Sequence, residues 1–253
     1  LDSWRKRVAG GAVAEALKAK DEGLVEHVIV SSHLPGEEIN VLFDEGPFFE
    51  GVTLGYCAAN FPYRQAAVDE AGRRGLGVVA MNPLGGGIIP RHAKRFEFIK
   101  GPQDPTVVEA AVRFVVSHPD VTCALVGFTT KQHVDQALRA IEDFRPYPPE
   151  HYTRLRERIL EGFGELCTGC GYCLPCPQDV PIPKLMDAYN MRILEGSDAE
   201  IDKRLRWHWG LTAEAAKACS LCGQCEEKCT QRLSIRERME AIAALAKAKE
   251  SDK

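Results

Sequence analysis

The sequence predicts an α/β chain, a series of parallel βα units followed by a small helical domain organised by cysteine. Helical segments alternate with short β-branched runs through the first 145 residues. The short runs lack polar alternation, so both faces of each are expected to be buried, as in a parallel sheet. Eight of the ten cysteines fall between positions 167 and 229.

The first helix is AGGAVAEALKAKDEG, with Val13, Ala16, Leu17 and Lys20 near helical spacing and Gly23 placed as a left-handed stop. It leads into HVIVS. EEINVLFDEG then leads to GVTLGY, YRQAAVDEAGRRG to LGVVAM, and PTVVEAAVRFVVSHPD to VTCALVGF, and TKQHVDQALRAIEDF closes the series as a helix. The strands are expected at about 27–31, 52–56, 77–81 and 122–127. RPYPPEHY, at 145–152, is a Pro-rich break followed by a short helix. The expected division is an α/β domain at 1–145, a linker and helix at 146–166, and a cysteine domain at 167–253.

A chain of 253 residues has room for one large domain or two with separate cores. Its formal charge of −4 supplies no bulk attraction to nucleic acid or membrane. No stretch reaches the ~18 apolar residues of a membrane span. The amino-terminal LDSWRKRVAGG is basic without an apolar core, unlike a secretory signal. The chain begins at Leu1 rather than Met, and this start is expected to be a cleavage or fragment boundary. A disulfide framework suits small secreted domains, whereas these thiols are bunched too closely for many good pairings. The expected compartment is the reducing cytoplasm.

Four βα units fit either an open doubly wound sheet or half of an eight-stranded barrel. No GxGxxG follows the first strand, so the usual dinucleotide fingerprint is missing. Glycine-rich MNPLGGG (81–87) would let backbone approach a ligand closely, and VGFTTKQHVDQAL places Gly127 at a strand end with Thr129 and Thr130 at capping positions. Phosphate binding after the last two strands, at a helix N-terminus, is the barrel pattern. Plain turn and cap chemistry would produce the same loops.

CTGCGYCLPCP supplies Cys167, Cys170, Cys173 and Cys176, and CSLCGQCEEKC supplies Cys219, Cys222, Cys225 and Cys229. Three thiolates at intervals of three can wrap one iron–sulfur cubane, while in two-cluster ferredoxins the fourth cysteine of a run ligates the other cluster. Pro177 fits that run. The first motif has two residues before its fourth cysteine where the usual run has three, and in the second Thr230 replaces the proline. On this pattern Cys167, Cys170, Cys173 and Cys229 hold one 4Fe–4S cluster, and Cys219, Cys222, Cys225 and Cys176 hold a second. Zinc is the metal alternative, although structural zinc sites usually draw two CxxC knuckles from separate hairpins. The 42 residues between the motifs include PIPKLMDAYNMRILEG and TAEAAKA, both read as helices, and Trp207 and Trp209 are expected to pack within this region as ordinary core or surface side chains. Two clusters on interleaved motifs would pass electrons; the competing role is to staple a small helical domain.

The segments LGVVAMNPLGGG, RFVVSHPDVTCALVGFTTKQHVDQAL, CTGCGYCLPCPQDVPIP and CSLCGQCEEKC together resemble the aldo/keto reductases that carry a C-terminal ferredoxin extension. The resemblance implies the second half of an (α/β)8 TIM-type barrel, equivalent to strands 5–8, followed by a small all-helical ferredoxin-like domain with two 4Fe–4S clusters. It implies NAD(P)(H) as a cofactor, an external electron carrier as redox partner, and a missing N-terminal half of the barrel supplied in cis or in trans. The family's Asp, Tyr, Lys and His tetrad lies on the first four strands and nearby loops. Tyr56, Tyr63, Tyr147, Tyr152, Tyr172 and Tyr189 all fall outside the matching segment, so no catalytic residue is assigned.

Cofactor positions follow from the same resemblance. Ser31 matches the serine that holds the carboxamide. Asn82, Leu84, Gly85 and Gly86 match the pyrophosphate-side loop, and Gly127, Thr129, Thr130 and Lys131 match the segment under the adenosine phosphate. The chain departs from the pattern at Gly55, where a glutamine is usual, at Met81 in place of the stacking aromatic, and at Ala137 in place of the adenine-contacting asparagine. His33 would face the ligand from the first strand end or be an ordinary satisfied histidine, and Lys131 would pair with a 2′-phosphate or merely open a solvated helix. Cys57 and Cys123 are expected on strands as buried small apolar side chains. Other readings of the whole chain are a non-catalytic electron-transfer subunit with an incomplete barrel, or a cluster-based sensor.

Overall fold

Four parallel strands form the sheet that the βα alternation predicts: β1 Ile29–Ser32, β2 Gly51–Gly55, β3 Gly77–Met81 and β4 Val121–Leu125. They pair in chain order, β1-β2-β3-β4, all parallel. Every crossover therefore moves one place in the same direction. A doubly wound sheet reverses its strand order at a switch point, and none lies among these strands. This computed structural model describes residues 1–251 except 33, 35, 143, 163–164, 168 and 230. His33 and Thr230 thus lie outside the described residues. The chain divides into two units, Leu1–Ile159 and Leu160–Lys253, with the boundary inside a helix.

In the first unit α1 Asp2–Ala9 and α2 Ala12–Asp21 precede β1, and α3 Gly36–Glu45 and α4 Phe61–Arg73 make the next two crossovers. The long connection to β4 holds α5 Ile88–Arg91, flanked by 3₁₀ turns, and α6 Val107–Val116; α7 Lys131–Ile141 and α8 Pro149–Gly162 follow β4. Gly23 stops α2 as expected. At φ +72 it lets its own N–H reach Lys20 O and the Leu24 N–H reach Ala19 O, both at 2.9 Å, the paired bonds of a Schellman cap. Hydrophobic spacing did not reveal α1. Tertiary contacts hold it instead: Arg5 donates to Glu45 at 2.6 Å, and Trp4 lies 5.3 Å from Phe49 between ring centroids.

The core sits under β2 and β3, where Val52, Leu54, Val78 and Ala80 are buried with α4 packed on both strands through buried Ala67, Val68 and Ala71; Ala110, Phe114 and Val115 of α6, which packs on β4, are buried as well. Phe114 is its aromatic centre, within 5.1 Å of Phe61 and of Tyr152 and 5.6 Å of Tyr56 between centroids. A reciprocal capping box starts α6, in which the Glu109 N–H donates to Thr106 Oγ1 and the Thr106 N–H to Glu109 Oε2.

Burial on both faces holds for β2 but not for the outer strands. Ile29 of β1 is 46% exposed and Leu125 of β4 is 53% exposed. Apolar composition marks a buried strand only when neighbours cover it, and among the described residues no strand pairs with the outer edges of β1 and β4. Cys123 corrects its expectation for the same reason, since it is exposed on β4. Cys57 is buried as expected, but two residues beyond β2 rather than on it.

The second unit holds α9 Ile182–Glu195, α10 Asp198–Arg204, a π turn at Leu205–Trp209, a 3₁₀ turn at Ala213–Ala216, α11 Gln224–Glu227 and α12 Ile235–Ser251. The first spacer helix expected from the sequence is present as α9, whereas TAEAAKA forms only the four-residue 3₁₀ turn, and the described residues of this unit form no strand. Leu185, Met186, Ile201, Leu205, Met239 and Ile242 make its core. Trp209 packs as expected, donating to Asp187 at 2.8 Å beneath the Lys184 ammonium. Trp207 does not pack; it is 87% exposed. No helix is long and apolar enough to cross a membrane.

Candidate metal centre

Two helices pin the entry to the first cysteine motif. Asn190 of α9, wholly buried, clasps the backbone of Cys167, accepting its N–H on Oδ1 at 2.8 Å and donating from Nδ2 to its carbonyl at 2.7 Å. Arg238 of α12 donates to the Glu165 carbonyl at 2.7 Å while its guanidinium lies 4.9 Å over the Tyr189 ring. The motif then turns on Gly169 and Gly171, both at positive φ, and the Gly169 N–H points at Cys167 Sγ at 3.4 Å. In the second motif the Leu233 N–H does the same for Cys229 Sγ at 3.4 Å. Amides aimed at sulfur stabilise its thiolate form.

None of the ten cysteines is in a disulfide. Cys173 and Cys176 of the first motif line one cleft together with Cys219, Cys222 and Cys225 of the second. Cys170, Cys173 and Cys229 are in turn the neighbouring thiols whose charge presses on Cys167. Thiols of the two motifs thus lie side by side. Burial first, and these neighbours second, push the Cys167 thiol up to about 12. Burial and Cys170 push Cys173 up to about 11, and burial raises Cys225. Ionising such a set requires positive charge inside it, which a metal centre supplies.

The spacing of the sulfurs separates zinc from a cluster. Zn–S bonds of about 2.3 Å in a tetrahedron hold sulfurs roughly 3.8 Å apart. Among the described residues, the only set of three His, Cys, Asp or Glu ligand atoms within 4.8 Å of one another is Asp69, His118 and Asp120. Among the described residues no three thiols lie that close together. The Asp69 set is a hydrogen-bonded group: His118 Nε2 meets Asp69 at 3.0 Å, and its Nδ1 accepts the Asp120 N–H at 3.3 Å.

The nucleotide-site residues expected from the sequence lie toward the carboxyl ends of β1, β3 and β4. Ser31 is the third residue of β1 and is exposed. Asn82, Leu84, Gly85 and Gly86 follow β3 in a loop where Asn82, Gly85, Gly86 and Gly87 all take positive φ, a run that glycine permits. The Gly85 N–H closes on the Asn82 carbonyl at 2.8 Å, and Arg91 Nε donates to the Gly87 carbonyl at 2.9 Å. Gly127, Thr129, Thr130 and Lys131 follow β4, where Thr130 caps α7 by accepting the His133 N–H at 3.3 Å and Thr129 Oγ1 meets His133 Nδ1 at 3.1 Å. Cys57, its thiol pushed up to about 11 by burial, lies beneath this region, receiving a bond from the Gly85 backbone.

Sequence reasoning missed Asn190 and Arg238, which stand in α9 and α12 and look like ordinary helix residues. If Asn190 positions the first ligand, Asn190→Leu is expected to speed iron loss to a chelator by about 10–100-fold, the usual cost of removing a support behind a ligand. The measurement is the bleaching rate of visible absorbance, and an unchanged rate would show that the clasp is dispensable.

Fold and thiols together define an iron–sulfur domain in the second unit. Residues 166–235 match the 4Fe-4S dicluster domain family. No curated protein matches the chain. Among solved structures it is similar to the holo form of aldo-keto reductase AKR11C1 from Bacillus halodurans, at 17% identity and a TM-score of 0.45 over 55% of this chain and 52% of that one. It is also similar to the thermostable aldo-keto reductase Tm1743 in complex with the inhibitor epalrestat, at 16% identity and a TM-score of 0.47 over 57% of this chain and 52% of that one. The chain spans about half the length of both.

Proposed function

We propose that the chain is an iron–sulfur oxidoreductase in which two 4Fe–4S clusters relay electrons to or from an external carrier in the cytoplasm. Cys167, Cys170, Cys173 and Cys229 hold one cluster, and Cys176, Cys219, Cys222 and Cys225 the other. The observation that supports this reading is the mixing of the two motifs, with Cys173 and Cys176 lining one cleft with Cys219, Cys222 and Cys225, and Cys229 beside Cys167. Crossed motifs place both clusters within one small unit, as electron passage between them requires.

The first unit is read as the later half of an (α/β)8 barrel of the aldo/keto reductase type, with NAD(P)(H) held by Ser31, the Asn82–Gly86 loop and the Gly127–Lys131 segment. Strand order without reversal and open outer edges support an arc of a barrel. The partner that closes it is the other half, in the same polypeptide or a separate one. A second reading, an electron-transfer subunit without its own chemistry, is favoured by Gly55 and Ala137 at cofactor positions.

One preparation tests both. Reconstituted with iron and sulfide without air, the protein is expected to bind about eight irons per chain and, once reduced, to show the electron paramagnetic resonance of two interacting clusters. Fluorescence titration with NADPH then separates the readings, with saturation expected for the first and none for the second. Colourless, iron-free protein would overturn both.

A further inference from the structure

Arg236, near the start of α12, lines the cleft of Cys176, Cys219, Cys222 and Cys225, though it offers no ligand atom. Its guanidinium carbon lies 3.8 Å from where a Cβ on Gly223 would stand, so the cation rests over the loop between Cys222 and Cys225. Glu226 fixes it there. The Arg236 N–H donates to Glu226 Oε1 and its Nε to Oε2, both at 2.7 Å. These bonds set where α12 begins and where the guanidinium points. The cleft lining includes Arg236 but not Glu226, whose carboxylate charge also reaches Cys225 next to it in the chain.

We propose that Arg236 raises the reduction potential of the cluster in this cleft and leaves the other cluster unmoved, biasing an electron toward the Cys219 end of the domain. The inference rests on the two-cluster reading. Reduction adds negative charge to a cluster, and a cation on its wall stabilises the reduced state more than the oxidised one. Glu226 opposes that effect while orienting its source. Removing either partner breaks the same pair, yet the two losses change the charge near the cleft in opposite senses.

That opposition supplies the test. In redox titrations followed by electron paramagnetic resonance, Arg236→Gln is expected to lower one of the two midpoint potentials and Glu226→Gln to raise the same one, with the second potential constant in both. Arg236→Lys, which keeps the charge but loses the fork, should fall between Arg236→Gln and wild type. Shifts of the same sign in Arg236→Gln and Glu226→Gln would mean loosened structure rather than charge and would overturn the proposal, as would equal shifts of both clusters. Eight-iron wild-type protein with unmoved variant potentials would sink this inference alone. Iron-free wild-type protein would sink the two-cluster reading and this inference with it.

Discussion

Cys176→Ala is expected to abolish the same cluster signal as Cys222→Ala, and Cys229→Ala the same signal as Cys170→Ala, each variant keeping about half of the iron. Neighbours in sequence would pair the other way, Cys176 with Cys170 and Cys229 with Cys222. The cleft brings both motifs together, with Cys173 and Cys176 beside Cys219, Cys222 and Cys225, so it admits either pairing of Cys176. The charge felt at Cys167 favours crossing, since Cys229 acts there with Cys170 and Cys173, while Cys173 also feels Cys225. Crossing has a mechanical consequence as well. On the crossed assignment each cluster would tie residues 167–176 to residues 219–229, so losing one ligand should loosen both motifs while the α9–α12 core persists. Iron analysis and the spectra of the four reduced variants decide the matter. If Cys176→Ala strips the cluster that Cys170→Ala strips, each motif holds its own cluster and the crossed assignment is wrong.

Local chemistry was legible in the sequence. The parallel strands announced themselves by β-branched runs, α2 by Gly23, α7 by Thr130, and the metal centre by thiols three apart. These signals are local because backbone propensity, capping and cluster ligation act over a few residues. Whatever depends on a distant neighbour was not legible. Cys123 reads as buried but is exposed, since burial of β4 depends on what covers it. Trp207 reads as a packing residue and stands in solvent on a π turn. Asn190 meets Cys167 across 23 positions of chain, and Arg236 meets Glu226 across 10. No periodicity records such pairings, so the residues supporting the ligands appear only once the helices are packed.

The zinc alternative shows the same division. Spacing alone leaves both metals open, because a thiolate three residues from the next suits either. The separation between sulfurs in the loaded site would discriminate, and how the loops are held sets it. Asn190 and Arg238 hold the first loop at its root, and Glu226 with Arg236 holds the second against α12. The helical frame therefore decides the size of the metal centre, and the cysteines decide only its ligand type.

The largest loss of stability from one substitution is expected at Asp104, far from any cysteine in sequence. Its carboxylate is wholly buried and meets three donors: the Gly101 N–H at 2.7 Å, Arg113 Nε at 2.8 Å, and the Tyr147 hydroxyl. It thereby ties the 101–106 loop, α6 and the segment after α7 to one point. Burial, with Asp104 as acceptor, holds the Tyr147 phenol well above its ordinary range, so it stays protonated and donating. Asp104→Ala would leave the Arg113 cation buried beside a void, a loss expected to cost about 3–5 kcal/mol. Tyr147→Phe removes one neutral donor from that carboxylate and should cost about 1–2 kcal/mol. The decisive comparison is Asp104→Asn with and without Arg113→Met. Alone, the amide leaves the cation without its counter-charge; with the second change no buried charge remains, and much of the loss should return. Amide hydrogen exchange in α6 under urea would read these differences within the first unit. Should Asp104→Ala stay within about 1 kcal/mol of wild type, or Arg113→Met deepen the loss instead of relieving it, uncompensated charge would not be what makes this site costly.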